Sequence, residues 1–554
     1  MRGLRGAPII APVEYDLVIR NGVVIDGANT PRLRADIAVK DRKIAAIIPP
    51  GAAVPAVSSR GEIDAAGLIV APGFIDLHSH SDWVLPLPDH GEVLKPFLAQ
   101  GVTTMVTGNC GFSVAPVRKE RRRLLDESGR LCTERAFEWE WEDVGGFAAR
   151  MKRGGLALNT AHLAGHGSIR LSVMDGSSAE PDSDQLRAME AMVERAMADG
   201  AVGLSTGLGY FPGMLAKPAE LAALARVAGA AGGVLTSHLR AYGTRSLFFD
   251  SSEPHNLLAI REMATVAREA RVPLQVSHLI FVGRRTWRTV DQALAEVERH
   301  RNDGVDIAFD TFPFTCGNTT IRVIFPSSAQ TGLEKALDSA EGWAKLKAGF
   351  APLGGFIADA IQLMWAVKPE LRNLEGKYFG QIADELGVDP IDAYLTVARE
   401  SGTRARVLIH LYSGDESDEH ALQEAMKHPL NAFEMDTILT SHGHQNPASF
   451  GTYPRILGHY VRELGLLSLE TAIHKATGMA AERMRLPGRG YVRPGYAADL
   501  VIFDPETVSS GADPKHPALD PVGIEYVIVN GTTMMEQGKW RGAGVLPGEW
   551  ISRQ

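Results

Sequence analysis

The sequence predicts an α/β fold: a (β/α)8 barrel of the TIM type, joined to a small β-sandwich domain built from both termini. Three observations predict it. Apolar runs alternate with helical patterns through the middle of the chain, as βα units and a parallel sheet require. Eight such runs can be placed, enough to close a barrel. Both ends carry short strand-like runs with Asn-Gly pairs, at 21–22 and 530–531, and Asn-Gly favours tight hairpin turns.

At 554 residues the chain exceeds the roughly 250 that a barrel needs. Its hydrophobic fraction of 45% and charged fraction of 22% are those of an ordinary globular protein. The net charge of −9 argues against a nucleic-acid surface, which calls for a basic domain. No apolar run reaches the ~18 residues of a membrane span. Residues 1–6 are positively charged, but no long apolar stretch follows before Pro12, so no signal peptide is expected. Cys110, Cys132 and Cys316 are the only cysteines. That excludes a disulfide framework and makes a reducing cytoplasm the expected location. The expected partner is a small-molecule substrate, with no nucleic acid and no membrane; a homo-oligomer is left open.

Taken in order, residues 15–27 read as a hairpin and 36–47 as a second strand pair. Residues 498–504 and 527–531 are matching strands at the other end. These predict a small domain over 1–70 and 485–554, flanking a barrel over 71–484. The first barrel strand is the apolar run 68–77. The others are 102–107, 156–163, 201–206, 233–239, 272–279, 305–310 and 431–436, with helical stretches such as 184–198 and 290–299 between them. An insertion of about 318–428 separates the last two strands. It carries a strand-like run at 406–411 and helix-like segments at 379–386 and 390–399, and is a candidate lid or substrate wall.

Chemistry concentrates at the strand ends. His78-Ser79-His80 follows the first strand. On an extended backbone residues i and i+2 face the same way, so both imidazoles can reach one cation. Imidazole suits zinc and its neighbours. Alone, such a pair is more often two surface histidines. Later strand ends add Cys110, His238, His278 and Asp436. Separately, each histidine reads as a satisfied residue, Cys110 as a small buried apolar group and Asp436 as a loop cap. Together, in barrel order, they supply the nitrogen and sulfur ligands that zinc needs, with room for water. The thiol would bind as thiolate.

These runs resemble the amidohydrolase superfamily, and within it the D-aminoacylase, or N-acyl-D-amino-acid deacylase, group. The resemblance rests on residues 73–82 around the His-x-His pair, Gly108-Asn109-Cys110-Gly111-Phe112-Ser113, Gly165-His166-Gly167-Ser168-Ile169-Arg170, Gly203-Leu204-Ser205-Thr206-Gly207-Leu208 and Gly451-Thr452-Tyr453-Pro454-Arg455. It implies a binuclear-type Zn2+ site. Cys110, His238 and His278 would hold one zinc tightly, and His78, His80 and Asp436 a second, weaker position. Many amidohydrolases bridge their metals with a carboxylated lysine, and residues 204–207 offer none. Asp436 would be catalytic, taking a proton from the attacking water and returning it to the leaving amine. His442-Gly443-His444 is a rival for its slot.

Three departures from the group concern the substrate. His278-Leu279-Ile280 lacks the group's lysine, with Ile280 in its place. Phe312-Pro313-Phe314 replaces Tyr-Pro-Tyr. Residues 446–450 lack an arginine after the proline. A buried carboxylate without partners is costly. The expected activity is therefore zinc-dependent hydrolysis of a C–N amide bond in a less anionic, aromatic or apolar N-acyl or amide substrate. It would pack against Phe312, Phe314, Ile280 and Trp365, with His166 alongside. The alternatives are an N-acyl-D-amino-acid deacylase whose carboxylate clamp has moved to Arg240, Arg284 or Arg285, and a lactone or cyclic-imide hydrolase on the same site. A non-enzymatic scaffold would have no use for this ligand set.

Overall fold

Eight strands form one sheet in chain order, each parallel to the next: β1 (Phe74–Asp76), β2 (Val102–Thr107), β3 (Asn159–Gly165), β4 (Gly203–Gly207), β5 (Val234–His238), β6 (Leu274–Val276), β7 (Ile307–Thr311) and β8 (Asn431–Phe433). The computed structural model describes residues 14–52, 61–129, 132–325, 332–350, 356–439 and 442–553. The stretch 1–12, read above for a signal peptide, lies outside the described residues. Nearly every strand residue is buried, as expected where helices cover a parallel sheet. The barrel closes through a parallel bridge between Ser79 and Thr437, just past β1 and β8. Helices return the chain between strands. Ser183–Ala198 starts with a capping box, the Asp182 carboxylate accepting from the Asp184 and Gln185 amides at 2.9 and 2.8 Å, which satisfies donors that the first turn leaves free.

The run 68–77, read as one strand, is two. Ile69–Pro72 belongs to the terminal sheet and only Phe74–Asp76 enters the barrel. The break falls at Gly73, where a Cβ would lie 2.2 Å from the Thr103 side chain, so only glycine lets the chain step between the sheets. Residues 15–27 do not form a hairpin either. Leu17–Val24 is one strand with an irregular register between Ile19 and Gly22, and Asn21 sits at φ 61°. The Asn-Gly pair makes a bulge. At Asn530-Gly531 the same pair does turn the chain, between Ile524–Val529 and Thr532–Glu536.

Strands from both termini hydrogen-bond into one nine-stranded sheet. Its inner face buries Leu17, Ile19, Ile37, Val39, Leu500, Ile502 and Ile528. It is tied to the barrel by a buried polar junction. Asp499 accepts from the Asn530 amide at 2.7 Å, from Asn159 at the start of β3 at 3.0 Å, and from Arg489. Arg489 also reaches Glu549, at 2.9 Å, in the C-terminal tail. After β7 the insertion builds its own antiparallel sheet, with Arg406–His410 between Cys316–Thr320 and Ile361–Trp365, over a separate apolar core.

Asp499→Ala would leave the buried Arg489 guanidinium with the Asn530 side-chain oxygen at 3.2 Å and, as its one remaining charged partner, the half-exposed Glu549. Unpairing a buried charge costs about 3–5 kcal/mol, so urea unfolding should show a loss toward the lower end of that range. An unchanged unfolding midpoint would remove this junction from the account of what joins sheet and barrel.

Candidate metal centre

Barrel geometry gathers the ends of parallel strands at one mouth. His78 and His80 follow β1, Cys110 follows β2, His238 ends β5, His278 follows β6 and Asp436 follows β8. The structure brings all six together. Cys110 Sγ lies 3.1 Å from His78 Nε2, 3.4 Å from His278 Nε2 and 3.7 Å from His238 Nδ1. His238 Nδ1 and His278 Nε2 are 3.1 Å apart. Asp436 Oδ1 is 3.7 Å from Nε2 of both His78 and His80. Ligands at about 2.0–2.3 Å around a tetrahedral ion stand about 3.3–3.8 Å from one another. Four of the six separations fall in that range and the other two, at 3.1 Å, just below it, so the donor spacing is close to what zinc requires. Two close groups of three overlap at His78: His78 with Cys110 and His278, and His78 with His80 and Asp436. His238 adjoins the first group through Cys110 and His278.

Their protonation suits ligation. Burial lowers the affinity of all four imidazoles for protons: His80 to about 4 and His278 to about 3, with His78 and His238 well below the usual range and lowered further by the neighbouring rings. Each offers a neutral lone pair at neutral pH. Burial, and then the charge of Asp436, push the Cys110 thiol well up. Burial, and then Asp310, raise Asp436 to about 7. A divalent cation reverses the last two shifts, since its charge favours thiolate and carboxylate.

Beneath the donors lie groups that the sequence reading passed over. Asp310, at the end of β7, accepts from the His278 amide at 2.6 Å and from Gln275 at 2.7 Å. Asp76 accepts from the amides of His78 and Met435 at 3.2 and 2.9 Å. Each carboxylate thus fixes a backbone that carries a donor. The signal was present, as Asp76 stands two residues before His78 and Asp310 ends a barrel strand. The Tyr242 hydroxyl donates to the Ser277 carbonyl at 2.9 Å, and its ring meets those of His238 and His278.

The donors open into a cavity of about 620 Å3. His80, Cys110, His238, His278 and Asp436 line it, with Phe112, Tyr210, Phe211, Met214, Leu215, Val323 and Ile438 as apolar wall and Asn318, Thr320, Arg322 and Arg404 on the insertion side. Tyr210 stacks on Phe112, with centroids 5.2 Å apart, and its ring lies 4.7 Å from that of His238.

The residues expected against the substrate lie elsewhere. Phe312, Phe314 and Ile280 are buried in the main core, and Arg455 covers Phe314. Arg240 spends Nε on Glu262, at 3.0 and 2.9 Å, and its terminal nitrogens on the Met214 and Ala216 carbonyls. His166 is fully buried and bonded to Glu220 at 2.8 Å, beside Arg170. Trp365 donates to His442 at 2.9 Å, and His444 faces the Pro514 carbonyl, so the rival pair is outside the donor cluster. Arg284 is exposed and paired with Asp415. Helix packing and local ion pairs fixed all of these directions, and strand-end position alone cannot reveal them.

The sequence profile of the Amidohydrolase family matches residues 61–353 and 386–535. The chain is 32% identical to a D-aminoacylase of Alcaligenes xylosoxydans xylosoxydans, over 95% of this chain and 96% of that one. It is 33% identical to an N-acyl-D-glutamate deacylase of the same organism, over 95% and 94%. Its structure is similar to that of an N-acyl-D-glutamate deacylase from Bordetella bronchiseptica complexed with zinc and a phosphonate inhibitor, with a TM-score of 0.78 at 31% identity, over 98% of this chain and 100% of that one.

Because the Cys110 thiol and part of the Asp436 population are protonated near neutrality in the metal-free site, zinc binding should displace protons. Titrating zinc into metal-free protein at pH 7 in weak buffer with an indicator dye should release about one to two protons per zinc. Cys110→Ala should release about one fewer, and affinity should rise with pH. Proton release identical in the two proteins would exclude the thiol as a ligand.

Proposed function

Because the chain belongs to the amidohydrolase family, we propose that it is a zinc-dependent hydrolase cleaving the C–N amide bond of a small N-acyl compound whose recognised group is aromatic or apolar. The observation that carries this is the cavity wall beside the donors, where the stacked Phe112 and Tyr210, with Met214 and Leu215, form an apolar surface against His238. Cys110, His238 and His278 would hold the tighter zinc, and His78, His80 and Asp436 the weaker position. When bound, zinc supplies Lewis-acid polarisation of the scissile carbonyl and acidifies attacking water.

The chain's own residues do the rest. Asp436, at the edge of the cavity, accepts a proton from the attacking water at a carboxylate oxygen and passes it to the leaving nitrogen. Proton transfer by a positioned group of this kind is worth about 10²–10⁴-fold in rate. Asp310 and Asp76 hold the backbones of His278 and His78 so that neither imidazole must reorganise. The aromatic pair excludes water from one side of the substrate.

A second reading has its own observation. Arg322 and Arg404 line the same cavity. Arg322 is shared with Glu334 and Thr403, whereas Arg404 is exposed in that wall. Either guanidinium can receive a carboxylate. This would give an N-acyl-D-amino-acid deacylase, the activity for which the two curated relatives are named, with its anion clamp moved onto the insertion.

The deciding experiment offers zinc-loaded protein two panels: N-acyl-D-amino acids, and aryl or neutral amides of similar size. The expected outcome is preference for the neutral panel, unaffected by Arg404→Ala. Preference for the D-amino acids, with KM raised about tenfold or more in Arg404→Ala as a lost charge-assisted contact implies, would establish the second reading. With either panel, Asp436→Asn should lower kcat by about 10²–10⁴-fold; near-wild-type turnover would overturn its role as proton carrier.

A further inference from the structure

The thiol of Cys110 is presented by an unusual turn. Three of its four residues have left-handed backbones: Gly108 at φ 79°, Cys110 at φ 55° and Gly111 at φ 73°. A non-glycine residue holds such a conformation only where its surroundings impose it. Here they come from β4. The Ser205 hydroxyl, fully buried, donates to the Gly108 carbonyl and accepts from the Gly111 amide at 3.0 Å. One side chain therefore bridges both ends of the turn. Tyr210 donates to the Cys110 carbonyl at 3.0 Å, and the Ser168 amide to the Gly111 carbonyl at 3.1 Å. The turn lies flush on β4, since a Cβ at Gly207 would stand 2.1 Å from the Cys110 carbonyl oxygen.

We propose that Ser205 is a positioning residue for the metal centre: its hydroxyl, by clamping Gly108 and Gly111, sets the direction in which Cys110 Sγ faces His238 and His278. The inference rests on the proposed zinc ligation. Ser205 touches neither substrate nor reacting atoms in this role. It acts through the backbone of a ligand, in the way that groups behind metal ligands tune affinity. A serine fits because the turn leaves one carbonyl and one amide facing β4, and only a hydroxyl supplies a donor and an acceptor from one atom.

The test compares wild type, Ser205→Ala, Ser205→Thr and Cys110→Ala. Zinc affinity is measured by chelator competition. The thiolate-to-metal charge-transfer absorption is recorded on cobalt-loaded protein, and thermal unfolding on metal-free protein. Ser205→Ala should weaken zinc about 10–100-fold, the range for residues behind ligands, and diminish the cobalt–thiolate band. Its metal-free form should unfold near the wild-type temperature, and Ser205→Thr, which keeps the hydroxyl, should recover most of the affinity. Folded Ser205→Ala with wild-type affinity and band would overturn the proposal. So would a fall in metal-free stability with no change in affinity, which marks a purely structural bond. If Ser205→Ala does not fold, Ser205→Thr carries the test, and loss of affinity despite a retained hydroxyl counts against it. Wild-type zinc affinity in Cys110→Ala, with no charge-transfer band in any protein, would instead overturn the thiolate ligation beneath it.

Discussion

Closure of the barrel between its first and last strands is the constraint on which the site depends. The Ser79–Thr437 bridge holds the two strand ends in parallel register, and the His80 amide donates to the Thr437 carbonyl at 3.3 Å. This join places Asp436 against His78 and His80, residues separated by most of the chain. The other donors enter from strands between, and the circle brings each to the same mouth. An open sheet with the same sequence order would leave the first and eighth strand ends far apart.

Closing the circle concentrates ionisable groups in a volume with little water. Four imidazoles, a thiol and the carboxyls of Asp76, Asp310, Glu434 and Asp436 share it, and all but Asp436 lie in residues that are buried or nearly so. Burial, the largest cause, and the neighbouring like charges drive them toward their neutral forms: imidazole protonation falls and carboxyl and thiol protonation rises. Groups arranged this way are costly to fold and poor at holding charge. A divalent cation offsets that cost by pairing with thiolate and carboxylate together. Asp76, Asp310 and Ser205 hydrogen-bond to the backbones that carry His78, His278 and Cys110. They use rigid strand ends instead of mobile loops, and a precise site needs that rigidity.

The insertion and the loops after β2 and β4 then decide what can reach the centre. Phe112 and Tyr210 descend from those loops, whereas Arg322 and Arg404 come from the insertion, which has its own sheet and core. Under the proposed function, chemistry and selectivity are carried by separate parts of the fold. The departures at Ile280, Phe312 and Phe314 belong to neither part: they sit in the core, not the wall.

The sequence by itself determined the barrel, seven of its eight strands to within three residues, and the six candidate donors at its mouth. These follow from short-range rules. Alternation and apolar runs mark strands, chain order fixes a parallel sheet, and a residue just past a strand must sit at the rim. Tertiary structure alone decided the rest. Gly73 splits one apolar run between two sheets because Thr103 leaves no room for a side chain. Asn21-Gly22 bulges where Asn530-Gly531 turns, since the first pair lies within a strand that has neighbours on both sides. Arg240 faces Glu262 and His166 faces Glu220, although both follow barrel strands as the donors do. A side chain beyond the strand end points wherever its nearest partner and the packing of the covering helices direct it. Those partners lie tens of residues away, so no local pattern in the chain encodes the wall of the cavity.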